Sequence, residues 1–146
     1  MRLGIACDHR GYPLKEYLKE ELTKQGYEVT DYGTNSTESV DYPDFAFALS
    51  TGVVDKSVDF GIAICGSGIG ISIACNKVKG IRCAKVSTKE EAEVTRIDND
   101  SNIVAFGEKT SKEDALEIIN KFVNTPFSKL EKHQRRINKI EEYENR

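Results

Sequence analysis

Short runs of apolar residues alternate with amphipathic segments five times along the chain, a rhythm that predicts βα units stacked on a parallel sheet. The expected strands are Arg2–Cys7, Tyr27–Tyr32, Asp59–Cys65, Ile81–Val86 and Asn102–Phe106. Between the first two, GYPLKEYLKEELTKQG sets Leu14, Tyr17, Leu18 and Leu22 at helical spacing and stops on Gly26. YPDFAFALSTGVVD, IGISIACNKV, STKEEAEVTRI and SKEDALEIINKFV supply the other crossovers. Two of these open on Ser or Thr with an acid three positions later, as a capping box does. The last segment, from Pro126 to Arg146, is too polar for a sixth crossover. It carries Leu130, Ile137 and Ile140 on one stripe and predicts a terminal helix lying across the domain or across a partner chain.

Size and charge narrow the picture. A chain of 146 residues predicts one domain, 1–146, with a core that needs no metal or disulfide to hold it. The net charge of −3 leaves no basic footprint for nucleic acid, and no apolar run reaches the ~18 residues of a membrane span. The N-terminus MRLGIACDHR turns polar too early for a secretory signal, so a cytoplasmic protein is expected. Four cysteines show no C-x-x-C spacing, and only His9 and His133 are available beside them, so neither a metal site nor another cofactor is expected. Cys7, Cys75 and Cys83 fall in apolar runs and read as small buried hydrophobes.

In open parallel sheets ligands bind beyond the carboxyl ends of the strands. Those ends carry CDHRG, DYGTNSTESVDYPD, CGSGIG and FGEK, which gather Asp8, His9, Thr34, Tyr42, Cys65 and Ser67 at one edge. Asp8 reads either as a helix N-cap or as a site residue; His9, in a loop at that edge, reads as a proton carrier or phosphate donor. The glycine loop after Cys65 lacks the G-K-[ST] of a P-loop, and it follows the third strand instead of the first, unlike a dinucleotide fingerprint. It also lacks the residue between Gly and Ser that a nucleophile elbow needs. What remains is a set of backbone N–H groups followed by a helix start, suited to developing negative charge and favouring Cys65 as a thiolate. Such a thiolate serves as a nucleophile or as a base beside a carbonyl, and the spacing alone does not choose.

DHRG at 8–11, YGTNSTESVDYPDFA at 32–46, ICGSGIGISIACNKVKGIR at 64–82, RIDNDSN at 96–102 and HQRRINKI at 133–140 closely resemble the ribose/galactose phosphate isomerase family. That family comprises the type B ribose-5-phosphate isomerases and the related galactose-6-phosphate isomerase subunits. The resemblance runs in order over nearly the whole chain. It implies a Rossmann-like, three-layer α/β/α sandwich with a five-stranded parallel sheet. It also implies a homodimer or homotetramer with sites at subunit interfaces, no metal, and interconversion of an aldose phosphate and a ketose phosphate through an enediolate.

In the family the thiol at the position of Cys65 is the base. Members without it carry glutamate just after the third loop glycine, where this chain has Ile71. Ser67 and the amides of Gly66, Gly68 and Gly70 would hold the enediolate oxygens, and Asp8 and Tyr42 the sugar hydroxyls, with Asn99 also among the substrate-binding residues. His9, Lys109, Lys132 and Arg136 would surround the phosphate. Lys109 and Lys132 stand where arginine is usual, which keeps charge but loses bidentate geometry. Asp98 stands where the family has the histidine that helps open the sugar ring. It is expected to assist that step from a neighbouring subunit, because it precedes the fifth strand while Cys65 ends the third. The implied reaction is ribose 5-phosphate to ribulose 5-phosphate; the alternatives are a six-carbon substrate such as galactose 6-phosphate or allose 6-phosphate, or a weakly active sugar-phosphate-binding subunit.

Overall fold

The computed structural model describes residues 1–146. The chain runs β1 (Arg2–Cys7), α1 (Tyr12–Lys24), β2 (Glu28–Asp31), α2 (Tyr42–Val54), β3 (Phe60–Cys65), α3 (Ile69–Cys75), β4 (Cys83–Lys85), α4 (Lys89–Asn99), β5 (Ile103–Gly107), α5 (Lys112–Asn124) and α6 (Glu131–Glu144). The five strands form one parallel sheet in the order β2-β1-β3-β5-β4. β1 has β2 on one side and β3 on the other, so the topological switch lies at the carboxyl ends of β1 and β3, beside Asp8 and Cys65.

Strand alternation gives the sheet two unlike faces. Leu3, Ile5, Cys7, Ile62, Ile64, Val104 and Phe106 pack with Leu14, Leu18 and Leu22 of α1, Ala92 of α4 and Ile118, Ile119 and Phe122 of α5. The opposite face offers small residues, Gly4, Ala6, Gly61, Ala63 and Ala105, against α2 and α3. That smallness is required. A Cβ on Gly4 would stand 2.8 Å from Leu49 Cδ1 on α2. Cys65 belongs to this face, which is why its thiol meets the start of α3.

Local signals account for most boundaries. Thr88 caps α4 by accepting from the Glu91 N–H at 3.2 Å, while Glu91 Oε1 accepts at 2.7 Å from the N–H of Ser87, one residue before the cap, a shifted form of the expected box. Ser111 caps α5 by accepting from the Asp114 N–H. Three expectations need correction. β4 is only Cys83–Lys85, because Ile81 fills the core from a turn and Asn76 holds the Cys83 backbone through its side chain. α3 ends at Cys75, with turns carrying the chain on. α6 begins at Glu131 and not near Pro126, since Lys129 adopts φ 60° and Leu130 is the extended N-cap. α6 lies against α4 and buries only Ile137.

One buried charge system ties α1 to the sheet. Lys15 is wholly buried, and its Nζ reaches Asp31 Oδ2 at 2.5 Å, the same oxygen that Lys19 Nζ meets at 2.7 Å. Burial alone would raise the Asp31 carboxyl, but the hydrogen bonds from Lys15, Lys19 and the Gly33 N–H outweigh it and hold the group below the ordinary carboxylate range. No helix is long and apolar enough to cross a membrane.

Candidate active site

A cleft of about 890 Å³ opens along the carboxyl edge of the sheet. It is floored by the β3–α3 loop and walled by the ends of β1, β4 and β5 and the first residue of α2. Cys65 closes β3 and is nearly buried. The Gly68 N–H donates to its Sγ at 3.2 Å, so the backbone aims a donor at sulfur. Gly68 can do this because it sits at φ +81° with its Cα against β5: a Cβ there would lie 2.6 Å from the Phe106 carbonyl carbon. Gly70 is glycine for another reason, since a Cβ would meet the Tyr42 ring at 2.7 Å.

Ser67 Oγ accepts from the Ile69 N–H at 3.1 Å and so shapes the entry to α3. Asp8 is buried and accepts from the N–H groups of Arg10 at 3.0 Å and Gly11 at 3.1 Å. It braces the turn ahead of α1; the N-cap itself is Gly11, which corrects the reading of Asp8 as the helix cap. Cys7, one residue earlier, is a different kind of thiol. Burial pushes it up to about 12, with Lys15 only partly offsetting that, so it stays protonated within the core.

Of the residues singled out from the sequence, Asp8, Tyr42, Cys65, Gly66, Ser67, Gly70 and Lys109 line this one cleft, and Gly68 faces Cys65 through its amide. His9 is turned aside, with Nδ1 accepting from the Val40 N–H at 3.2 Å. That bond places a neutral ring's proton on Nε2. Asp98, Asn99, Lys132 and Arg136 lie outside the cleft of their own chain. Asp98 sits on α4 with Oδ1 3.4 Å from His133 Nε2, and Asn99 Oδ1 accepts from Thr95 Oγ1. Lys132 and Arg136 project from the exposed face of α6.

The cleft also holds residues the sequence reading passed over: Arg10, Lys85, Ser87, Thr110 and Ser111. Lys85 and Ser87 follow from the end of β4, where the sequence carries no glycine loop or acid–histidine pair to mark a site. A second hollow of about 800 Å³ runs between α4 and α5. Its charges are already paired, Lys89 with Glu117 at 3.3 Å and Lys121 with Glu93 at 3.1 Å, and its lining includes no cysteine, serine or histidine.

Comparison with known proteins agrees with this geometry. The sequence profile described as Ribose/Galactose Isomerase matches residues 3–140. Ribose-5-phosphate isomerase B of Escherichia coli is 38% identical over 146 residues, covering 99% of this chain and 97% of its own length. The structure of Clostridium thermocellum ribose-5-phosphate isomerase B superposes with a TM-score of 0.96 at 44% identity, over 99% of this chain and 98% of that one. Ribose-5-phosphate isomerase B of Mycoplasma genitalium with bound ribulose-5-phosphate gives 0.92 at 36% identity, over 99% and 96%. A profile match over nearly the whole length, joined to a shared fold, makes this chain a member of the ribose/galactose isomerase family.

Proposed function

We infer that this chain interconverts ribose 5-phosphate and ribulose 5-phosphate, a step of pentose phosphate metabolism, with Cys65 as the base. The observation that carries the reading is the Cys65 thiol at the floor of the cleft, with the Gly68 N–H aimed at its sulfur and Lys109 on the same wall.

Once the sugar ring is open, the Cys65 thiolate takes the proton from C2 of the aldose and the electron pair moves into the C1–C2 bond, leaving charge on the oxygens. The loop amides and the Ser67 hydroxyl face that charge as donors already in place before it develops. The thiol then returns the proton to C1, and the proton on the C2 hydroxyl passes to O1, which completes the ketose. Asp8 and Tyr42 hold the sugar hydroxyls. Lys109 holds the phosphate.

Asp98, Asn99, Lys132 and Arg136 complete the site of a second copy of the chain. Two things support this assignment. All four stand outside their own cleft, and the single chain leaves large apolar side chains uncovered: Phe47, Ile69 and Ile73 on α2 and α3, and Leu130 and Ile140 beside and on α6. The protein is thus a homodimer or homotetramer in this reading. In the shared site the Asp98 carboxylate accepts the anomeric hydroxyl proton during ring opening, while His9 or water donates a proton to the ring oxygen as its bond to C1 breaks.

The test is turnover by the purified chain on ribose 5-phosphate, galactose 6-phosphate and allose 6-phosphate. The reading requires that ribose 5-phosphate have the highest kcat/KM. Preference for a hexose phosphate, or binding without turnover, overturns it.

A further inference from the structure

Arg10 stands on the wall of the cleft and has no part in the chemistry described above. Its backbone is fixed by Asp8, which accepts its N–H. Its side chain is fixed from the far side of the sheet switch. Arg10 Nε lies 2.7 Å from Glu108 Oε2, an ionic contact instead of an aligned hydrogen bond. Glu108 is itself fastened to the reacting segment, because its N–H donates to the carbonyl oxygens of Cys65 at 2.9 Å and Gly66 at 3.2 Å.

The position of the guanidinium explains a glycine. Gly66 is not in the left-handed region, so its backbone does not demand the residue. The space above it does: a Cβ on Gly66 would lie 2.9 Å from Arg10 Nη1, 3.1 Å from Cζ and 3.2 Å from Cδ. The Arg10 side chain therefore rests on the loop that begins immediately after Cys65. Its Nε edge faces Glu108, and neither Nη1 nor Nη2 has a partner within the chain. A planar fork with one edge anchored and the other open suits two oxygens of a phosphate, which an ammonium such as that of Lys85 or Lys109 cannot grip in the same way.

We propose that Arg10 is a phosphate ligand of this site, held in register by Glu108 as a positioning residue. The proposal rests on the sugar-phosphate reading of the cleft and names a determinant of its substrate affinity. It restores to the site a bidentate guanidinium that Lys109 does not supply. The neighbouring carboxylates leave the fork free: Asp8 is occupied by backbone N–H groups, and Asp114 lies in the first turn of α5.

The experiment compares the full chain with Arg10→Ala, Arg10→Lys and Glu108→Gln. Inorganic phosphate binding is measured by calorimetry, its inhibition constant is measured against ribose 5-phosphate, and thermal midpoints confirm folding. Removing a charge-assisted ligand is expected to weaken phosphate binding and raise KM by roughly tenfold to a hundredfold, with kcat changed by less than about threefold. Arg10→Lys should recover only a small part of the loss. Glu108→Gln should raise KM and the phosphate constant together, by less than Arg10→Ala does, at nearly unchanged kcat; a purely structural role would move the thermal midpoint and leave the phosphate constant alone.

Unchanged phosphate binding in Arg10→Ala overturns the proposal. So does a fall in kcat at constant KM, which would place Arg10 at the reacting carbons. Because calorimetry needs no turnover, Arg10-dependent phosphate binding in a chain that does not isomerise ribose 5-phosphate would sink the functional reading and leave this one standing.

Discussion

Replacing Gly68 by alanine should damage catalysis far more than stability, and the structure gives both magnitudes. At φ +81° an alanine carries the left-handed penalty of about 1–2 kcal/mol. Its Cβ would also sit 2.6 Å from the Phe106 carbonyl carbon, about 0.8 Å short of ordinary contact, and that carbon belongs to a strand bonded on both sides. The strand cannot yield, so the loop must. Loop movement of that size breaks the 3.2 Å contact between the Gly68 N–H and Cys65 Sγ. Loss of one such preorganised donor lowers kcat by roughly 10²–10³-fold. Gly26→Ala is the control, because Gly26 has a similar φ of +95° with nothing within 4 Å of its would-be Cβ. Gly26→Ala should lower the thermal midpoint by about 2–8 °C and leave kcat unchanged. Ribose 5-phosphate turnover and thermal unfolding of the two variants decide the matter. If folded Gly68→Ala keeps kcat within about threefold of the parent chain, the loop amide is not part of the machinery and the reasoning fails.

Two further outcomes follow from other parts of the molecule. Asp31→Asn leaves Lys15 buried with only Glu16 nearby and should cost about 3 kcal/mol at neutral pH. Because the folded Asp31 carboxyl is held below its unfolded value of ~3.9, that stabilisation is complete above about pH 4 and is lost as pH falls through the folded value. Urea titrations should therefore show a gap between parent and variant that narrows on acidification; a gap that widens contradicts the ion-pair account. For the shared site, mixing inactive Cys65→Ala chains with inactive Asp98→Ala chains should restore activity, since a hybrid pair holds one intact site. Continued inactivity after verified subunit exchange would return Asp98 to a structural pairing with His133.

The sequence carried the class of fold because each strand is an apolar run punctuated by turn residues, and β1 is recovered to the residue. β4 was overextended because apolarity reports burial and not pairing: Ile81 is buried without belonging to the ladder. Strand order was not legible, since placing β5 between β3 and β4 depends on packing between distant segments. The same limit governs the site. Asp8, Cys65 and the glycines follow their strands directly, so a rule about strand ends finds them. Arg10 follows its strand just as closely but acquires its place only through Glu108, nearly a hundred residues on. Pro126 invited a helix start, yet the positive φ at Lys129 delays α6 to Glu131.

The claim that Cys65 carries the proton between C2 and C1 is tested most directly with ribose 5-phosphate deuterated at C2, following both isomerisation and exchange of the label with solvent. The parent chain should isomerise the sugar with a primary isotope effect and release label to water. Cys65→Ala should lose isomerisation and exchange together, by roughly 10²–10⁴-fold, while still binding inorganic phosphate. Exchange in Cys65→Ala within about tenfold of the parent rate would show that another group moves the proton.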